Sequence, residues 1–263
     1  MSHHYIREVP TRFTLAKPRH RRSQTHSDEA YLEHGRACGH ASFDPAPKVS
    51  LTNHVALRLH LLCSSPGRSL VFPQQTSSSF VELAPAQPLS LDAFTLCLKF
   101  ATELTGEREV ILFAYRTADF DELNVWRELD GRLSFYLSGQ GVLFEVPELG
   151  PLENHVCFTW ESLTGRATMY VNGKSSASKI YQRAHKVRPG GKVILGQDPD
   201  VFLGDFDAKQ SFVGEIFAVN MWDSALHPHA VKEVFSGGVF STPNVIDWAT
   251  VTLLPTGNVV EFQ

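Results

Sequence analysis

From Leu70 onward, short runs rich in Val, Phe, Leu and Tyr alternate with turn residues at the intervals of an all-β sandwich. The runs Leu70–Pro73, Phe80–Leu83, Phe94–Phe100, Glu109–Tyr115, Leu123–Trp126 and Leu133–Leu137 read as strands. So do Val142–Val146, His155–Trp160, Arg166–Val171, Lys192–Leu195 and Val213–Trp222. Asn172-Gly173 is a strong two-residue hairpin signal, because both residues accept φ > 0. One helix is expected, over Pro228–Phe235. Pro228 suits a first turn, Ala230, Val231, Val234 and Phe235 make an apolar face, and Gly237-Gly238 ends it.

The texture changes near residue 63. Residues 1–50 are rich in Lys, Arg and His and show little apolar periodicity. Residues 1–63 therefore read as a low-order N-terminal extension and 64–263 as the folded domain. The histidines of the extension lack tight ligand spacing, so a metal site there is not expected. With 263 residues and 43% apolar content, the chain is long enough for a full core. A net charge of −4 argues against nucleic-acid binding. No apolar run approaches the ~18 residues of a membrane span. Met1-Ser-His-His does not open as a secretory signal does.

The densest candidate chemistry lies between Ile194 and Ile216. Asp198, Asp200, Asp205 and Asp207 crowd one loop, with Gln197 before them and Gln210 after. Crowded carboxylates repel unless a hard cation neutralises them, and Ca2+ takes about 6–8 oxygen ligands from such groups. The spacing is not that of an EF-hand. A solvated acidic loop is the plainer reading.

His155-Val-Cys-Phe-Thr-Trp-Glu-Ser162 combines His, Cys and Trp at fixed offsets. Alternation puts His155, Cys157 and Thr159 on one strand face and Val156, Phe158 and Trp160 on the other. A His and a Cys two apart on a strand, with no third orienting group, favour packing and a disulfide over catalysis. No catalytic residue is expected. The four cysteines, Cys38, Cys63, Cys97 and Cys157, allow at most two bridges that spacing alone cannot pair. Cys97 lies in a strand of character similar to that of Cys157, which suggests a bridge between neighbouring strands.

The pattern His155-x-Cys157-x-Thr159-Trp160-x-Ser162 resembles the signature of the pentraxin family, its short members in particular. The resemblance covers about residues 66–263. It continues through Leu143-Phe-Glu-Val-Pro147, Ile194-Leu-Gly-Gln197, Gln210-Ser-Phe-Val-Gly214, Asn220-Met-Trp-Asp223 and Pro243-Asn-Val-Ile-Asp-Trp248. It implies a two-sheet antiparallel jelly-roll sandwich with one short helix. It also implies a secreted Ca2+-dependent recognition protein of innate immunity, with two ions per subunit in a cyclic pentamer. By position, Asp198 and Asp200 would touch both ions, Pro199 would offer its carbonyl, and Asp207 and Gln210 would complete the second ion. Asp198 and Asp207 stand where family members carry Glu.

The family's Asp-Asn-Glu in a distant loop is matched by Asp121-Glu122, with the Asn either deleted, which is the preferred reading, or replaced by Glu122. Glu122 then becomes the substitute ligand and Asn124 falls in the wrong register. For the organic ligand, Trp126 supplies an aromatic face and Gln140 lies nearby. A carboxylate that packs trimethylammonium in the family is replaced by Gly141. Phosphocholine, phosphoethanolamine and anionic sugars are thus comparable ligands, and complement or Fc receptors are partners by resemblance only. The competing readings are a degenerate member without Ca2+ and, more remotely, a glycoside hydrolase on a lectin-like sandwich, which needs paired carboxylates across a cleft.

Overall fold

The computed structural model describes residues 67–106, 108–238 and 241–263. The extension expected over residues 1–63, with Cys38 and Cys63, lies outside them. In chain order the elements are β1 (Ser69–Phe72), β2 (Phe80–Ala84), β3 (Ala93–Ala101), β4 (Val110–Arg116), β5 (Asp121–Arg127), β6 (Leu133–Leu137), β7 (Gln140–Phe144), β8 (Asn154–Glu161) and β9 (Arg166–Val171). There follow β10 (Lys174–Ser175), β11 (Lys179–Ile180), β12 (Lys192–Leu195), β13 (Pro199–Val201), β14 (Gly204–Phe206), β15 (Gly214–Trp222), α1 (Pro228–Phe235), β16 (Thr252–Thr256) and β17 (Val260–Phe262). Every strand read from the alternation is present, with ends shifted by a residue or two, and α1 has the expected bounds.

The strands form two large antiparallel sheets and the small two-stranded sheet β13-β14. One large sheet runs β10-β9-β8-β3-β15-β1-β17, with β11 also paired to β9, and the other runs β16-β2-β12-β4-β5-β6-β7. The inner faces meet in a single apolar core. Phe135 sits at its centre, with ring centroids 5.7 Å from Phe94, 5.9 Å from Phe158 and 5.4 Å from Tyr181. Val156, Phe158 and Trp160 point into this core. Cys157, one face away, packs with Cys97, Tyr170 and Trp222 beneath Val231 of α1. The period-2 alternation of a strand produces this split. No helix among the described residues is long and apolar enough to cross a membrane.

Two features position the site. The second sheet buries a smaller cluster on its outer face, Ile111, Ala114, Trp126 and Ile194, with Phe80 and Tyr136 packed against it. In addition, β5 is bulged. Arg116 pairs with Asp121 and Tyr115 with Leu123, which leaves Glu122 as the extra residue. A bulge of this kind turns the following side chains relative to a regular strand.

Cys97 and Cys157 lie directly opposite each other on β3 and β8 and are joined by a disulfide. His155 is buried beside them and packs against Phe235 in a tilted arrangement, with ring centroids 5.5 Å apart. Burial, aided by the Lys99 charge, pulls its pKa down to about 4, so the ring is neutral at physiological pH. The bridge closes a sequence separation of 60 residues. Loop-closure entropy then stabilises the fold by about 4 kcal/mol in the chain-entropy model. Replacing both cysteines by alanine (Cys97→Ala, Cys157→Ala) should lower the unfolding free energy by about 2–5 kcal/mol in guanidinium titration. A loss below about 1 kcal/mol would show that the bridge is not a principal support of this fold.

Candidate metal centre

The acidic loop leaves the second sheet through a turn that only glycine can make. Gly196 has φ +90°, and a Cβ there would fall 2.2 Å from the Phe72 ring. Gln197 is fully buried and its Nε2 donates to the Ser79 carbonyl at 3.1 Å and to the Thr76 carbonyl. The chain then runs outward as the β13–β14 hairpin, with Pro199 paired to Phe206 and Val201 to Gly204. Phe206 holds the hairpin base by packing on Phe80, with centroids 5.1 Å apart. The loop closes where the Gln210 carbonyl accepts from the Ile111 amide at 3.1 Å.

This path buries Asp198, which is 7% exposed. Its Oδ1 accepts from Asn124 Nδ2 at 2.8 Å. Burial, then the charges of Asp121 and Asp200, push its pKa up to about 7, against the opposing Arg116. Asp200 is raised in the same way, by burial first and then by Asp121 and Asp205. Asp121 carries an ion pair with Arg116. Two amide oxygens at the site, Asn124 Oδ1 and Gln210 Oε1, are buried without a partner. Gln210 Nε2 meanwhile donates to Glu109 at 3.1 Å. Asp207 Oδ1 accepts from the Lys209 amide at 2.9 Å.

The donors are all oxygen, Arg116 offsets only part of the carboxylate charge, and buried amide oxygens are orphaned. That is the chemistry of a hard-cation site and it fits Ca2+. Among the described residues, the trio of metal-type ligand atoms within 4.8 Å of one another is Cys97, His155 and Cys157, and its sulfurs are spent in the disulfide.

The structure brings Asp121, Asp198 and Asp200 within electrostatic range of one another. It corrects the reading of Glu122. The carboxylate of Glu122 is 0% exposed and turned into a different network. It accepts from His185 Nε2 at 3.1 Å, the Arg188 amide at 2.9 Å, Arg188 Nη1 at 2.8 Å and Ser138 Oγ at 2.9 Å. Burial alone would raise its pKa, but these partners hold it below the ordinary carboxylate range. The bulge explains the change: Glu122 is the residue squeezed out of the ladder. Asn124, expected in the wrong register, is the one that reaches Asp198.

The organic-ligand side also differs from the sequence reading. Trp126 is only 9% exposed, packed with Ile111, Ala114 and Ile194. Gln140 is exposed, with its carbonyl accepting from Tyr181 Oη. Tyr136 of β6 pairs across the sheet with Asn124 of β5 on one side and with Gly141 of β7 on the other. A Cβ on Gly141 would stand 2.6 Å from the Tyr136 ring. Tyr136 Oη donates to Glu128 at 3.1 Å. Tyr136 and Glu128 escaped the sequence reading, and Asn124 was set aside there; the cross-strand register is the signal that relates Asn124 to Tyr136.

Comparisons with known proteins agree with this architecture. A family model described as "Pentaxin family" matches residues 68–261. The chain is 48% identical over 197 residues to a C-reactive protein of Danio rerio, covering 74% of this chain and 88% of that one. It is 38% identical over 193 residues to the C-reactive protein of Homo sapiens, covering 73% of this chain and 86% of that one. In fold it is similar to a solved heptameric SAP-like pentraxin from Limulus polyphemus, with a TM-score of 0.67 and 24% identity, covering 74% of this chain and 94% of that one.

The raised pKa of Asp198 sets a pH test. In the unfolded chain this carboxyl titrates near 3.8, and in the folded chain near 7. Below about pH 4 it is protonated in both states and costs nothing. Between these values the folded state binds the extra proton, so its contribution to stability falls as pH rises. In EDTA, Asp198→Asn should therefore match the parent at pH 4 and exceed it at pH 7.5 by up to about 4 kcal/mol, at about 1.4 kcal/mol per pH unit. Comparing variant with parent cancels the opposite titration of His155. A gap that does not change with pH in chelator would refute the crowding of Asp198.

Proposed function

The chain belongs to the pentraxin family, and on that premise we propose that it is a secreted, Ca2+-dependent recognition protein that binds phosphorylated headgroups and other anionic ligands. The observation that carries this reading is Asp198, buried beside Asp121 and Asp200 and orphaning the amide oxygen of Asn124. The carboxylates of Asp121, Asp198 and Asp200 and the amide oxygen of Asn124 offer oxygen donors around one point, and Arg116 beside Asp121 offsets only part of their charge. Asp121, Asn124, Asp198, the Pro199 carbonyl and Asp200 would hold one ion. Asp198, Asp200, Asp207 and Gln210 would share the second. Rotation of the Asn124 amide about its last torsion presents Oδ1 where Nδ2 now stands, a change that costs little for this side chain.

Two bound Ca2+ ions supply positive charge that accepts phosphate or carboxylate oxygens. The chain's own residues then select the rest of the ligand. Tyr136 stands next to Asn124 and offers an aromatic face, with Glu128 at its hydroxyl and the Glu109 charge also in range. A cationic amine carried on a phosphate suits that surrounding, through cation–π attraction and carboxylate charge. Tyr136 and Glu128 thus take over from the buried Trp126 and from the carboxylate lost at Gly141. Phosphocholine and phosphoethanolamine are the favoured ligands, ahead of anionic sugars. The disulfide suits an oxidising extracellular compartment. Residues 64–263 form the recognition domain in this proposal. Assembly as a ring of copies multiplies weak single contacts into useful avidity.

Isothermal titration of the full chain should show Ca2+ binding at or below millimolar concentration, and Asp198→Asn with Asp200→Asn should abolish it. Phosphocholine and phosphoethanolamine beads should retain the protein in Ca2+ and release it in EDTA. Tyr136→Ala should weaken bead retention by about 3–30-fold, the range of one cation–π contact, and leave Ca2+ affinity within two-fold. Absence of binding heat at millimolar Ca2+ would instead favour a family member that has lost its ions.

A further inference from the structure

The tip of the β13–β14 hairpin is apolar where the fold asks for no apolar residue. Val201, Phe202 and Leu203 are 51%, 44% and 38% exposed, and they are the one run of three consecutive exposed large hydrophobics among the described residues. Hairpin tips ordinarily carry Gly, Asn or Asp, which suit the turn and water alike. Leu203 instead occupies the left-handed region at φ +58°. That conformation favours Gly or Asn over a leucine. Neither packing nor backbone preference accounts for these side chains. Phe206, four residues beyond Phe202, does the packing of the hairpin on Phe80.

The placement of the tip says what it meets. It is bracketed by Asp200 and Asp205, within the same loop that carries Asp198 and Asp207. Pro199 is buried and the chain is exposed from Asp200 to Leu203, so the hairpin runs outward from the site. At about 3.3 Å per residue, Phe202 stands about 7 Å beyond Asp200. Apolar groups of interfacial segments enter a bilayer to about 5–10 Å. Three side chains are too few for a stable protein interface, which needs about 800 Å² per partner. They suffice as a wedge when headgroup phosphates are held alongside. Without cations the flanking carboxylates repel an anionic lipid surface.

We propose that Val201, Phe202 and Leu203 form a wedge that inserts into a phospholipid bilayer when the neighbouring Ca2+ ions engage headgroup phosphates. This inference rests on the Ca2+-dependent phosphate reading above and names its target as lipid packed in a membrane, in preference to the same headgroup free in solution. The wedge and the ion site act together: the ions reverse the charge around the tip, and the tip adds apolar burial to each phosphate contact.

The test uses the full chain, vesicles of phosphatidylcholine and phosphatidylethanolamine, and the triple variant Val201→Ser, Phe202→Ser, Leu203→Ser. All three positions are exposed, so the variant should melt as the parent does. In Ca2+ its affinity for vesicles should fall at least ten-fold, while its Ca2+ titration and its retention on phosphocholine beads stay within two-fold. The single variant Phe202→Trp should gain fluorescence that acyl-brominated lipid quenches in Ca2+ and not in EDTA. Parent-like vesicle binding by the triple variant, with Ca2+ binding intact, overturns the wedge alone. Loss of ring mass in light scattering with no change on vesicles assigns the tip to a contact between copies and also overturns it. No Ca2+ binding by the parent removes both readings together.

Discussion

Asp198 cannot relax away from its neighbours, and most of what is distinctive in this molecule follows from that. It is buried beside two other carboxylates, with one amide as its hydrogen-bond partner. The constraint is imposed from outside the loop. Gly196 lets the chain turn against Phe72, buried Gln197 locks the exit to the Thr76–Ser79 segment, and Gln210 ties the return to β4. A free acidic loop would spread its charges into water. This one is pinned at both ends to a rigid sheet, so the repulsion persists, and the proposed cation site draws on it.

Glu122 provides the contrast. It is more deeply buried than Asp198, yet its pKa moves the other way. The difference lies in partners. Glu122 receives His185, two donors of Arg188 and Ser138, and Arg188 itself stacks on Phe120 at 4.1 Å. A buried carboxylate satisfied on every side is structural; it ties the 185–188 segment to the β6–β7 turn. A buried carboxylate left with like charges is a candidate site for a counterion. Two acidic residues on the rim of the same sheet thereby take opposite roles, and a bulge of one residue separates them.

The strands and the helix were legible because their signals are local. Alternation over five to nine residues decides which side chains face the core, and Cys97 and Cys157 fall on strands that pair in register. The elements missed in the sequence are short or exposed. β10, β11, β13 and β14 have two or three residues each, too few for alternation to register. β16 carries Pro255, which suits the edge position it occupies beside β2. The apolar β13–β14 tip is exposed, and hydrophobicity alone does not say which way a side chain faces.

The sequence by itself determined the all-β alternation, the one helix and the inventory of oxygen donors, since each depends on residue type and short-range spacing; it suggested the Cys97–Cys157 bridge without pairing the cysteines. Tertiary structure decided which donors meet. The bulge that removes Glu122 and admits Asn124, the pairing that sets Tyr136 between Asn124 and Gly141, and the packing that hides Trp126 all depend on contacts between segments distant in the chain. Such contacts answer to strand register, and a one-residue change in register exchanges the side chains presented on a face. The acidic loop announced its chemistry in its composition; only its anchoring to the sheet turned crowded charge into a candidate site.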